Sequence, residues 1–298
     1  MLKRAVQRDG SKTAVIDGDR TFTFRELDAL SDKFASALAA EGVSKGDHIG
    51  LLAPNCVEFV IAFYGIIKVG AVATTINSGY REREIAHQLN DSAAQTLIVH
   101  QALVEMADAA QDMAKGVTKR IVIEPESNNA GTFWGLIESA PSAIPSVTIN
   151  PREDLVALPY SSGTTGLSKG VMLTHHNLTS NVRQLNDRSE QGVIRQDDVI
   201  LVHLPLFHIY GMEILMNQPS LQVDCLLIDY KLPRFDGVDL LEKMRLAGDT
   251  TPAILITGFY STTLKERALK AGYAAVVEKS SAPQEILDRL SEATKQLH

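Results

Sequence analysis

The chain has 298 residues, of which 45% are hydrophobic and 22% are charged, and its formal net charge at pH 7 is −7. This composition is typical of a globular protein with one large domain or two ordinary ones. The acidic balance provides no basic surplus for contacts with a phosphate backbone, and this argues against nucleic acid as a partner.

The most apolar stretch of the chain covers residues 57–76, but Glu58, Lys68 and Gly70 interrupt it. A buried helix followed by a strand explains it better than a membrane span, which needs about 20 mainly apolar residues. The first ten residues lack the apolar core of a secretion signal. We therefore expect a cytoplasmic protein with no membrane span.

Strand and helix patterns alternate over the first 123 residues. Residues 14–24 predict a hairpin, and the capping-box spacing of Thr23 and Glu26 predicts a helix that begins there. The further predicted elements are a strand at 48–52, a helix capped by Asn55, a strand at 71–76, a helix at 81–90 and strands at 97–99 and 121–123. This alternation predicts an α/β fold, with an open, largely parallel sheet and helices on both faces.

Residues 124–150 are rich in Ser, Pro, Asn and Ala, which predicts a connecting loop. In the stretch that follows, Gly163 and Gly166 bracket two threonines, and Lys169 comes three residues later. Glycines allow backbone N–H groups to converge on an anion, while hydroxyl groups and a lysine add donors and charge. By composition alone, a surface hairpin rich in turn-forming residues is the more common explanation of such a stretch. The Walker A spacing is absent.

The order of these residues is more specific than their composition. The sequence Tyr160-Ser-Ser-Gly-Thr-Thr-Gly-Leu-Ser-Lys-Gly170 resembles the phosphate-binding signature of the adenylate-forming superfamily, with Ser168 where the family usually has proline. That superfamily contains acyl- and aryl-CoA ligases, luciferases and peptide-synthetase adenylation domains. The segments Thr-Phe-Thr-Phe-Arg-Glu-Leu, Gly-Asp-His-Ile-Gly-Leu-Leu-Ala-Pro-Asn and Gly-Ala-Val-Ala-Thr-Thr-Ile-Asn also resemble it, so the resemblance covers most of residues 13–217.

This resemblance implies ATP-dependent activation of a carboxylic acid through an acyl-adenylate, then transfer to CoA. It implies ATP and Mg²⁺ as cofactors, with CoA possible, and a carboxylic acid or a nucleotide as the partner. It places His208 beside the acyl pocket, although a lone histidine between apolar residues is more often part of a core. No histidine spacing matches a metal site. The implied phosphate-binding residues are Ser161, Ser162, Gly163, Thr164, Thr165, Gly166 and Lys169.

The resemblance to these ligases ends at about residue 216. The family's Gly-Tyr-Gly-x-Thr-Glu segment, whose glutamate helps to hold Mg²⁺, does not occur in the 298 residues. The Tyr-x-Thr-Gly-Asp segment, whose aspartate binds the ribose, does not occur either. Lys279 and Lys295 lack the context of the family's catalytic lysine. The catalytic residues therefore stay unassigned, and we expect impaired activity.

Residues 223–298 instead resemble the second half of a response-regulator receiver domain, a flavodoxin-like α/β unit. The predicted elements are a strand ending at Asp229, a helix capped by Asp236, a strand at 252–258, a helix at 261–270, a strand at 274–277 and a last helix from Pro283. The resemblance implies that Asp229 is the phosphoacceptor, Thr257 the switch hydroxyl and Lys279 the phosphoryl-contacting lysine. A histidine kinase would then be a partner.

Two departures from the receiver family affect this expectation. The acidic pair that holds Mg²⁺ belongs to the first half of a receiver, which is not present, and Ser280 stands where the family has proline. We therefore expect a chimera of a partial adenylate-forming domain over 1–217 and a partial receiver over 223–298, with residues 226–246 fitting both patterns. Three functions stay open: an impaired ligase, a phosphoacceptor signalling module, or an inert fusion.

Overall fold

A computed structural model describes residues 2–124, 129, 131–161, 167–188, 205–208, 211, 226–230, 236–246, 252–258, 260–281 and 288–289. The chain divides into two compact units. The first contains residues 1–185 and 202–219, and the second contains residues 186–201 and 220–298. The apolar run at 199–205 also predicts a strand, but apart from Pro205 it lies outside the described residues. The start of the predicted helix at Pro283 lies outside them as well.

The described elements up to residue 188 alternate between helix and strand over most of their length. In chain order they are α1 (Leu2–Asp9), β1 (Thr13–Asp17), β2 (Arg20–Thr23), α2 (Phe24–Ala40), β3 (His48–Leu52), α3 (Val57–Lys68), β4 (Val72–Ile76), α4 (Glu82–Asp91), β5 (Thr96–His100), α5 (Val104–Gln111), β6 (Lys119–Ile123), α6 (Phe133–Glu138), β7 (Leu155–Ala157), β8 (Tyr160–Ser161), β9 (Lys169–Gly170), β10 (Leu173–Thr174) and α7 (His175–Arg188).

Six of these strands form one sheet in the order β10-β7-β4-β3-β5-β6. All neighbouring pairs are parallel except β10 with β7. Ile98 joins the core cluster that contains residues of α2, α3 and α6, while Leu97 and Val99 join the cluster with α4 and α5. Successive residues of a strand point to opposite faces, so the helices cover both faces of the sheet. The predicted fold class is confirmed.

Local signals located the start of α2 correctly. The hydroxyl oxygen of Thr23 accepts a hydrogen bond from the N–H of Glu26 at 3.2 Å, and the Glu26 carboxylate accepts from the N–H of Thr23 at 2.8 Å. This reciprocal pair is the predicted capping box. The prediction that Asn55 caps the next helix is wrong, because α3 begins at Val57 after Cys56. The Oδ1 atom of Asn55 accepts instead from the N–H of Leu206 at 2.8 Å.

The prediction of a loop throughout residues 124–150 is also wrong. The helix α6 lies within this stretch, and the hydroxyl of Thr132 caps it by accepting from the N–H of Gly135 at 3.3 Å. Phe133 is fully buried, with its ring centroid 4.5 Å from that of Phe34. A short helix in polar surroundings has a weak periodic pattern, and here burial of an aromatic ring contributes to its stability.

The second unit contains β11 (Leu226–Asp229), α8 (Gly237–Leu246), β12 (Ala253–Thr257), α9 (Thr262–Lys270) and β13 (Ala275–Glu278). The three strands are parallel and lie in chain order. The Oδ1 atom of Asp236 accepts from the N–H groups of Val238 and Asp239 at 3.0 and 2.9 Å, so the predicted cap is confirmed. This βαβαβ succession confirms the predicted flavodoxin-like half-unit.

Candidate functional site

The signature forms a short antiparallel hairpin at the end of β7. In this hairpin β8 pairs with β9, and Ser161 lies opposite Lys169. Both residues are exposed. The structure therefore brings together two of the seven predicted phosphate-binding residues, one with a hydroxyl donor and one with an ammonium group. The other five, Ser162, Gly163, Thr164, Thr165 and Gly166, lie outside the described residues.

Hydrogen bonds hold the entry to this hairpin against β4. The N–H of Leu158 donates to the carbonyl oxygen of Ala73 at 2.9 Å, and the Thr74 hydroxyl donates to the carbonyl oxygen of Leu158 at 3.1 Å. The side-chain amide of Gln88 donates to the Thr74 hydroxyl oxygen at 3.0 Å. Thr74 and Gln88 are fully buried. Since buried polar groups require partners, these bonds give the hairpin a fixed base.

Gly170 allows the two arms of the hairpin to approach closely. A Cβ atom at this position would lie 3.1 Å from Cγ of Leu158 and 3.1 Å from the ring of Tyr160. The N–H of Val171 continues the pairing by donating to the carbonyl oxygen of Pro159 at 2.8 Å. The glycine after Lys169 therefore serves the packing of the hairpin, apart from any role in anion binding.

The segment with His208 is also held at the carboxyl end of β4. The Thr75 hydroxyl donates to the carbonyl oxygen of Phe207 at 2.7 Å. Two consecutive threonines thus bind the two candidate segments. Thr74 binds the entry to the hairpin, and Thr75 binds the residue before His208. His208 is exposed, so it is not part of the core. Ligands of open α/β sheets bind at the carboxyl ends of their strands, which is where both segments lie.

Sequence reasoning missed two residues of α4 that contact the hairpin. The hydroxyl of Tyr160 donates to Oδ2 of Asp91 at 2.6 Å, and Nε2 of His87 lies 2.9 Å from the carbonyl oxygen of Ser168. Partial burial, together with the hydrogen bond to Asp91 and its charge, raises the pKa of the Tyr160 phenol well above its ordinary value. The phenol therefore stays a donor at neutral pH. The only sequence signal was the four-residue spacing of His87 and Asp91, which is common on helices.

In the second unit, strand register places the three predicted receiver residues at one edge of the sheet. Asp229 ends β11 and pairs with Ile256, and Thr257 ends β12 and pairs with Glu278. The N–H of Lys279 donates to the carbonyl oxygen of Thr257 at 2.8 Å. Thr257 is 1% exposed, and Lys279 is exposed. The order of the strands explains why residues 28 and 22 positions apart meet at this edge.

The chemistry of the described groups bears on the implied cofactors. An exposed hydroxyl and an exposed ammonium group opposite each other fit the anionic oxygens of a nucleotide phosphate. Among the residues that the structure describes, no group of three or more His, Cys, Asp or Glu side chains is arranged to hold a metal ion, so these residues do not form a site for the implied Mg²⁺. Within the same ranges, no helix has the length and apolar character to cross a membrane.

Two family models match the chain over different residue ranges. Residues 2–242 match the family model of the AMP-binding enzymes, and the chain belongs to this family. Residues 198–291 match the model of the response regulator receiver domain. The two matches overlap over residues 198–242, which include residues 226–242 of the stretch expected to fit both patterns.

Similar proteins support the same assignment. The 4-coumarate–CoA ligase 5 of Oryza sativa subsp. japonica is 37% identical over 242 residues, which are 80% of this chain and 43% of that ligase. The 4-coumarate–CoA ligase of Pinus taeda is 41% identical over 205 residues, 67% of this chain and 37% of the ligase. The inhibitor-bound N-terminal domain of FACL13 from Mycobacterium tuberculosis has a TM-score of 0.70 at 25% identity, covering 98% of this chain and 79% of that one.

The chain therefore spans less than half the length of these two curated relatives. Its larger part has the ancestry of an acyl- or aryl-CoA ligase of the adenylate-forming type, and a receiver domain match accompanies it. The expected chimera of the two families is confirmed.

Proposed function

We propose that the first unit binds the triphosphate of ATP at the hairpin of β8 and β9, as a partial adenylate-forming enzyme. Its ancestral reaction is the activation of a carboxylic acid, and the similarity to 4-coumarate–CoA ligases favours an aryl acid. In this proposal Lys169 neutralises phosphate charge, and the hydroxyls of Ser161, Ser162, Thr164 and Thr165 donate hydrogen bonds. In adenylation a carboxylate oxygen attacks the α-phosphorus of ATP and pyrophosphate leaves. CoA is the expected acceptor of the acyl group, with release of AMP.

The observation that carries this proposal is the pairing of Ser161 with Lys169. In an antiparallel pair, residues opposite each other have Cβ atoms about 5 Å apart, so a hydroxyl and an ammonium group can contact one phosphate group together. Charge-assisted hydrogen bonds to phosphate are about twice as strong as neutral ones. The position of His208 on the neighbouring segment supports a place for the acyl group beside this hairpin.

Titration calorimetry with ATP tests the binding step. We expect Lys169→Ala to weaken the affinity of the intact chain for ATP about tenfold, as expected for loss of a charge-assisted hydrogen bond. Lys115→Ala is the matched control, because Lys115 is also an exposed lysine but lies outside the hairpin. Failure of the wild-type chain to bind ATP, or equal affinity of both variants, would refute the proposal.

The chemical step requires a separate experiment. We expect little or no turnover from the 298 residues, since the family segments with the ribose-binding aspartate and the Mg²⁺-binding glutamate do not occur in them. Exchange of labelled pyrophosphate into ATP, measured with 4-coumarate and with other carboxylic acids, reports adenylation directly. Robust exchange that depends on Lys169 would contradict the expected impairment, while leaving ATP binding in place.

A second function is favoured by the register of the second unit, where Asp229, Thr257 and Lys279 follow adjacent strands. We propose Asp229 as a phosphoacceptor, with a histidine kinase as the physiological donor. Because the acidic pair of receivers is expected to be missing, Mg²⁺ would be held poorly, and we expect slow phosphorylation. Incubation with a small phosphodonor, followed by intact-mass analysis, should show the gain of one phosphoryl group. The gain should disappear in Asp229→Ala and persist in the control Asp239→Asn.

The proposed division of these functions follows the two sequence patterns. Residues 1–217 form the adenylate-forming part and residues 223–298 the receiver part, and limited proteolysis should first cleave between them. A first cleavage inside either range would contradict this division. If the intact chain neither binds ATP nor accepts a phosphoryl group, yet unfolds cooperatively, an inert fusion is the correct description.

A further inference from the structure

One face of α4 contacts both arms of the signature hairpin. Asp91 accepts a hydrogen bond from the Tyr160 hydroxyl at 2.6 Å, on the β8 arm of the hairpin. One helical turn earlier, Nε2 of His87 lies 2.9 Å from the carbonyl oxygen of Ser168, directly before the β9 arm. Residues four apart lie on the same helix face, so one rigid element holds both arms.

The chemistry of these contacts defines their direction. A carbonyl oxygen only accepts, so Nε2 of His87 carries a hydrogen and donates to Ser168. The rings of His87 and Tyr160 lie edge to face, with their centroids 6.3 Å apart, which connects the two contacts to each other. Both bonds span long sequence separations, 81 and 69 residues, and therefore they fix tertiary placement rather than local conformation.

We propose that His87 and Asp91 are positioning residues for the nucleotide triphosphate site. They hold the two arms of the hairpin to α4 and so set the separation of Ser161 and Lys169. This inference rests on the proposed function, because the hairpin is taken as the phosphate-binding element. Neither residue needs to touch the nucleotide. Their effect on affinity passes through the placement of the donors that do, and preorganised donors bind an anion more tightly than mobile ones.

A purely structural role makes a different prediction from a positioning role. Loss of a hydrogen bond that only stabilises the fold would lower global stability and leave the affinity of the folded protein unchanged. Loss of a positioning contact would loosen the hairpin while the six-stranded sheet stays intact. Asn90→Ala provides a matched control, since Asn90 is also on α4 and donates to a backbone carbonyl, that of Met113, at 2.7 Å.

Hydrogen–deuterium exchange without nucleotide tests the positioning directly. We expect about fivefold faster exchange of the Lys169–Val171 amides in His87→Ala and Asp91→Ala, from loss of one hydrogen bond, with unchanged exchange in β3 and β5. His87→Gln should restore slow exchange, because its amide can donate to Ser168. Asn90→Ala should leave the hairpin unaffected. Unchanged hairpin exchange in both alanine variants would overturn the inference, whether or not the chain binds ATP.

Ligand affinity completes the test. We expect His87→Ala and Asp91→Ala to weaken ATP binding about fivefold and to leave adenosine binding unchanged, because only the triphosphate uses the hairpin. Tyr160→Phe should match Asp91→Ala, and the double variant should lose no more than either single variant. Equal losses for ATP and adenosine would overturn the phosphate-specific role. If the wild type binds no ATP although the exchange result holds, the proposed function fails, while the anchoring of the hairpin by α4 stands.

Discussion

The guanidinium of Arg20 donates to the carboxylate of Glu58 at 2.6 Å, and that carboxylate is fully buried. Arg20 lies on β2 and Glu58 in the first turn of α3, so this ion pair connects the N-terminal hairpin to the main core. We expect Arg20→Met to lower the free energy of unfolding by about 2–4 kcal/mol, because it leaves a buried charge without its partner. Urea denaturation measures this change.

A control for this variant lies in the same unit. Arg120 pairs with Asp108, and the Asp108 side chain is 53% exposed. Removing an exposed pair changes stability by about 0–1 kcal/mol, so Arg120→Met should have almost no effect. Similar losses in both variants would show that burial of Glu58 does not determine the cost.

The close approach of α2 and α3 depends on Gly65. A Cβ atom there would lie 2.6 Å from Cδ1 of Phe34, which is fully buried. Alanine is favoured over glycine inside a helix by about 1 kcal/mol, but overpacking a core costs about 1–3 kcal/mol. We expect Gly65→Ala to lower the melting temperature. Gly258→Ala, at a glycine whose added Cβ meets nothing within 4 Å, should not.

Acid sensitivity of the first unit should depend on His175. Burial lowers the pKa of its imidazole, although the charge of Asp154 acts in the opposite direction. The unfolded chain therefore binds a proton more readily than the folded one, and stability falls as the pH drops through about 6.5. His175→Phe should flatten the dependence of unfolding free energy on pH between about 7 and 5. An unchanged slope would exclude His175 as the cause.

The cap of α8 should stabilise the second unit. Asp236 accepts two backbone N–H bonds and also pairs with Arg267 at 2.6 Å. We expect Asp236→Ala to cost about 1–2 kcal/mol and Asp236→Asn, which keeps the cap, to cost less. Asp239→Ala removes only an exposed partner of Arg267 and serves as the control. Thermal unfolding of the second unit measures the stability of the three variants. Equal losses of stability in Asp236→Ala and Asp239→Ala would contradict the assignment of Asp236 as the cap.

Predictions from the sequence succeeded where the determining interactions are local. The capping box of Thr23 with Glu26 and the cap at Asp236 each join residues two or three positions apart. The alternation of strand and helix was predictable because short apolar runs, which form the almost fully buried strands β3, β4 and β5, alternate with segments of helical spacing. A hairpin was also expected from the turn-forming residues of the signature, and Ser161 pairs with Lys169 in it.

Contacts between distant elements were not predictable in the same way. Asn55 is of a residue type that often caps helices, but its side chain accepts a hydrogen bond from the N–H of Leu206, 151 residues away. In the sequence, nothing distinguishes His87 and Asp91 from ordinary surface residues of a helix. Their contacts with the hairpin exist only in the folded chain. A periodic pattern specifies which face of an element is buried, but it does not specify which polar groups meet across elements. The supporting residues of the candidate site were therefore visible only in three dimensions.

The strands of the second unit lie in the sheet in the same order as in the chain, β11, β12 and β13. Each described pairing therefore joins strands separated by a single helix, and none reaches back across an intervening strand. Such a segment can be transferred between proteins as one consecutive piece, because the described hydrogen-bonded strand pairs form within it. Residues 198–242, which match both families, contain the first of these strands, β11.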